Sequence, residues 1–66
     1  LKLCYNIKMK KMFKLRFDKR YNPQTLVECN LTLVSREGNN CVVSGTFWDA
    51  LQLKNYPFVK DLSEVN

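Results

Sequence analysis

Leu1-Lys2-Leu3-Cys4-Tyr5-Asn6-Ile7-Lys8-Met9-Lys10-Lys11-Met12-Phe13-Lys14-Leu15-Arg16-Phe17-Asp18 is the stretch that decides the fold class. Eight of its nine odd positions are apolar, Lys11 being the exception, and seven of its nine even positions are polar. A period of two is the pattern of a half-buried strand, with one face in a core and one in water. A tight turn at Lys10-Lys11 would put Met9 and Met12 on one face and break this parity. The expectation is one long, coiled strand through residue 18, well beyond the usual length of about 5 to 6 residues.

Reading onward, Lys19-Arg20-Tyr21-Asn22-Pro23-Gln24 has the Asn-Pro signature of a loop. Residues 25–35 read as a second strand, with Val27, Cys29, Leu31 and Leu33 on one face and Glu28, Asn30 and Thr32 on the other. Arg36-Glu37-Gly38-Asn39-Asn40 has the residue types of a hairpin turn. Residues 41–48 read as a third strand, with Gly45 at a bulge or bend. Parity along that strand sends Phe47 to the side of Cys41 and Val43, hence into the core. It sends Trp48 to the side of Ser44 and Thr46, hence into solvent. Asp49 is a candidate cap for a short helix over residues 50–55 that ends before Pro57. Phe58, Val59, Leu62 and Val65 fit either a fourth strand or a helical turn. The class is therefore all-β: a curled antiparallel meander with a short helix after strand three.

Length and charge narrow the function. Sixty-six residues make one small domain, residues 1–66, with 45% hydrophobic and 26% charged residues, a globular composition. A chain of this size buries only about 60% of the surface its unfolded form exposes. No apolar run reaches the roughly 18 to 20 residues of a membrane-spanning helix, no secretory signal pattern is present, and no membrane partner is expected. The first residue is Leu rather than Met, as expected of a segment from a longer protein. The net charge of +5 is uneven. Residues 1–20 hold eight basic residues and one acid, for +7, and residues 21–66 hold three basic residues and five acids, for −2. That asymmetry points to a polyanion facing the first segment; its plain alternative is a solvated basic strand edge that blocks aggregation.

Catalysis is not expected. There is no His for a general base or triad and no glycine-rich phosphate loop, and the six acids are scattered through turns, caps and a tail. Cys4, Cys29 and Cys41 form no CxxC pair, so no metal site or cofactor is expected. An odd cysteine count favours buried, reduced thiols. Asn30-Leu31-Thr32 is a formal glycosylation sequon, and it would support a small secreted protein with a disulfide. Single-stranded nucleic-acid binders combine a positive groove with aromatic faces for stacking. Here the backbone-contacting candidates are Lys8, Lys10, Lys14, Arg16, Lys19 and Arg20. The stacking candidates are Trp48 and Tyr21.

Leu31-Thr32-Leu33-Val34-Ser35-Arg36-Glu37-Gly38-Asn39-Asn40, followed by Val42-Val43-Ser44-Gly45-Thr46-Phe47-Trp48-Asp49, resembles strands two and three of OB-fold domains. The likeness is to the large subunit of replication protein A and to telomere end-protection proteins, over roughly residues 5–56. It implies a long curved first strand at residues 3–17, a basic first loop at residues 19–24, and a base-stacking aromatic at Trp48. It also implies single-stranded DNA rather than RNA as the ligand, replication or telomere work, and a nuclear location. Ser35 stands where the family often has Asp, and only three of the five strands of an OB barrel are clear. The barrel is expected to be incomplete here. A protein partner or a second copy completing the sheet is therefore the rival expectation.

Overall fold

The computed structural model describes residues 10–65. Within them an antiparallel sheet dominates, as the sequence led one to expect, and it has four strands. Its strands are β1 (Lys11–Phe17), β2 (Thr32–Glu37), β3 (Asn40–Gly45) and β4 (Val59–Glu64). Helix α1 (Gln24–Glu28) joins β1 to β2. Helix α2 (Phe47–Leu51), continued by a 3-10 turn over Gln52–Asn55, joins β3 to β4. The spatial order is β2-β3-β1-β4, so the consecutive strands β1 and β2 are not neighbours and the connectivity is not the expected meander. β1 and β2 thus run parallel with β3 between them, and β3 and β4 run parallel with β1 between them. This is a β-α-β-β-α-β chain of two interleaved split βαβ units. The sheet is open, with β2 and β4 at its edges.

Alternation in β1 holds: Phe13, Leu15 and Phe17 are buried, while Met12, Lys14 and Arg16 are exposed. The strand starts at Lys11, and the expected stretch over residues 1–9 lies outside the described residues. Cys41 and Val43 of β3 join the same face, which the two helices cover with Leu26, Cys29, Ala50 and Leu53. Phe58, just before β4, completes the core. Cys29 and Cys41 are buried free thiols.

Three further sequence expectations need correction. The strand expected over residues 25–35 begins instead as a helix. Thr25, Leu26 and Cys29 are buried while Val27 is 65% exposed, so the apolar positions follow a helical period, not a period of two. A hydrogen-bonded turn then ends α1. Asn30 takes φ 65°, its N–H reaches the Val27 carbonyl, and the Leu31 N–H reaches the Leu26 carbonyl. That is a Schellman cap, sealed by the buried pair Leu26 and Leu31. The Asn30 sequon consequently sits in a helix cap, exposed, rather than in a strand.

The other two corrections concern β3 and the segment after it. β3 stops at Gly45 and does not run to Trp48. Thr46, not Asp49, caps the helix: its Oγ1 accepts from the Asp49 N–H at 3.2 Å. Phe47 and Trp48 are therefore successive residues of a helix start, and strand parity no longer separates them. Phe47 is 41% and Trp48 52% exposed, so the expected burial of Phe47 fails. Of the stretch left open between a strand and a helical turn, Val59–Glu64 form β4. The hairpin occurs as expected, with a two-residue loop between Glu37 and Asn40. Gly38 at φ 60° is its only positive-φ residue, the type II′ pattern.

Gly45 is where β3 passes closest to the α1–β2 turn, since a Cβ there would collide with the Leu31 side chain. Gly45→Ala should destabilise the domain by about 1 to 3 kcal/mol through overpacking. A thermal melt showing no loss would contradict this close approach.

Candidate nucleic-acid interface

The core parity of β1 forces the site. Because odd side chains lie under the helices, Met12, Lys14 and Arg16 must project from the face that no helix among the described residues covers. β1 is an inner strand, so these cations stand in the middle of that face and not on its edge. Register then assembles rows across the sheet. One row reads Glu37 on β2, Asn40 on β3, Arg16 on β1 and Asp61 on β4. The next reads Ser35, Val42, Lys14 and Ser63. Adjacent strands lie about 4.8 Å apart, so each row spans about 14 Å. The rows line an open depression of about 520 Å³.

Its electrostatics are mixed. Lys14 and Arg16 contribute two positive charges, and Glu37 and Asp61 two negative ones. No ion pair ties any of the four, the pairs among the described residues being Lys11–Glu64, Arg20–Asp18 and Lys60–Asp18. The cations are free to meet phosphate.

The remaining candidates separate. Lys8 lies outside the described residues. Lys10 is exposed just before β1, at the end where Lys11 pairs with Gly45 and where Phe47 and Trp48 follow. Those two rings meet edge to face at 6.0 Å and stay open to solvent. Lys19 is exposed at the opposite end of β1, about 20 Å away along a seven-residue strand.

Arg20 and Tyr21, also at that end, are engaged within the chain. The Arg20 guanidinium donates to both Asp18 carboxylate oxygens, the shortest bond being 2.7 Å, and to the Pro57 carbonyl at 3.0 Å. Hydrogen bonds from the Arg20 side chain and backbone, with Lys60 nearby, hold the Asp18 carboxyl far below the ordinary aspartate range. Tyr21 stacks on Phe17 at 3.9 Å and meets Phe58 edge-on. The Arg36 guanidinium lies 5.1 Å from both the Phe17 and Tyr21 ring centres. Burial pushes the Tyr21 phenol up. Its ring is a packing element, not a free stacking face.

Sequence reasoning missed Ser35, Glu37, Asn40, Asp61 and Ser63 as lining residues. Each is ordinary alone, and only cross-strand register brings them beside Lys14 and Arg16. No helix among the described residues is long and apolar enough to cross a membrane.

No family model, no curated protein and no solved structure matches the chain.

With both aromatic rings exposed, Phe47→Ala and Trp48→Ala should each cost less than about 1 kcal/mol of stability. A melt in which Phe47→Ala unfolds the domain would restore the strand reading and contradict the helix start.

Proposed function

We propose that the uncovered sheet face binds single-stranded nucleic acid without catalysis. The observation that carries this reading is the placement of Lys14 and Arg16, exposed and without ion-pair partners among the described residues, in the middle of an open depression on a central strand. Four-stranded sheets are used in this way for single-stranded RNA, with bases laid across the two inner strands. Here those strands carry Met12, Val42 and Ser44 rather than aromatic rings on the open face. Stacking falls instead to the exposed Trp48 in the first turn of α2, which follows β3 at the end of the sheet where Lys10 precedes β1. The resemblance to replication protein A and telomere end-protection domains adds DNA over RNA, and a nuclear setting, to this proposal.

The rival reading, a sheet completed by a protein partner, has its own observation. Every residue of edge strand β2 is exposed, including Leu33 at 44% and Val34 at 48%. Against it, β2 carries a register irregularity between Leu33 and Ser35, a device by which edges resist pairing. The partner reading predicts particle size that grows with concentration and does not respond to oligonucleotide.

Binding should be strongly salt-dependent. Four phosphate contacts, from Lys10, Lys14, Arg16 and Lys19, give a slope of log K against log salt of about −2.8, from about −0.7 per contact on single strands. Lys14→Ala should reduce the slope by about 0.7. Anisotropy titrations of a labelled oligonucleotide measure both quantities. A flat salt dependence, or no binding at low salt, contradicts the proposal.

A further inference from the structure

The binding face is not a uniform cationic surface, and its mixed row has a chemical reading. Arg16 and Asp61 are direct register partners on β1 and β4, so their side chains emerge about 5 Å apart on one face. They form no ion pair with each other. A donor fork and an acceptor fork thus emerge from neighbouring strands on one face, where one base edge can meet both. On the other side of Arg16, Asn40 and Glu37 continue the row.

Resting on the single-strand reading above, we infer that the Arg16–Asp61 pair selects guanine. Guanine is the one base whose Watson–Crick edge offers two adjacent donors, N1–H and the N2 amine, beside an acceptor, O6. A carboxylate accepts two parallel N–H bonds, and a guanidinium donates to O6. On adenine and cytosine, a carboxylate that takes the single amine meets the lone pair of the neighbouring ring nitrogen with its second oxygen. On thymine and uracil its one N–H partner lies between two carbonyls, which repel the carboxylate on both sides. Lys14, one row away, supplies phosphate attraction that is blind to the base.

The test compares four twelve-nucleotide strands at fixed low salt: all-thymine, and repeats of TTG, TTA and TTI, where I is inosine, which lacks only the N2 amine of guanine. The expected result is TTG bound at least about fivefold more tightly than all-thymine, the lower end of discrimination by a good bidentate contact. TTI should fall to within about twofold of all-thymine. Asp61→Asn should bring the guanine-to-thymine ratio close to one while raising affinity for all-thymine, because a negative charge has left the face. Lys14→Ala should weaken every strand and keep the ratio. Equal binding of TTG and all-thymine by the natural chain, or a ratio that survives Asp61→Asn, overturns guanine selection and leaves single-strand binding standing. No binding of any strand at low salt removes the parent reading and this one with it.

Discussion

Burial of Phe13, Leu15 and Phe17 on one side of β1 is the interaction on which everything else depends. A fully buried side chain of this kind contributes about 1.5 to 3 kcal/mol, and a domain this small has a net stability of only about 3 to 5 kcal/mol. β1 also bridges the structure, because β3 and β4 both pair with it and not with each other. The same alternation that buries these three residues leaves Lys14 and Arg16 no choice of face. Core and candidate site are two consequences of one strand's parity.

The covering elements are minimal, which explains their reliance on caps. α1 and α2 have five residues each, too short to persist alone. Thr46 caps the start of α2, and the Asn30 turn closes the end of α1. The Asp18–Arg20–Pro57 clamp ties the loop after β1 to the segment entering β4, while the Asp18 N–H donates to the Phe58 carbonyl. These bonds hold the helical layer on one face and keep the other face open.

β1, the hairpin at Gly38 and the all-β class were legible in the sequence because each rests on a local rule: parity for the strand, positive φ for the turn. Helix α1 was not legible. Its residues 25–33 alternate well enough to pass for a strand, and the cap that overrules this reading uses Asn30, a weaker signal than glycine. Trp48 is exposed as expected, but its strand placement and the burial expected of Phe47 failed for a related reason. Parity was carried past Gly45, when Thr46 already had a cap residue's chemistry. Lys14 and Arg16 could be chosen from the sequence as exposed cations. Their company of Glu37, Asn40 and Asp61 could not, since it depends on a strand order in which chain neighbours β1 and β2 are separated. Arg20 and Tyr21 looked available because, Asp18 and Phe17 apart, their partners lie elsewhere in the chain, at Pro57, Phe58 and Arg36.

The most direct test of the uncovered face as the binding surface is amide chemical-shift mapping of the nitrogen-15-labelled chain during titration with a single-stranded oligonucleotide. The account predicts shifts concentrated at Lys10, Met12, Lys14, Arg16, Lys19, Asn40, Val42, Trp48, Asp61 and Ser63, with those of the buried Leu26 and Leu53 nearly unchanged. Shifts confined to β2 and the exposed Leu33 and Val34, or spread evenly over every lysine, would contradict it.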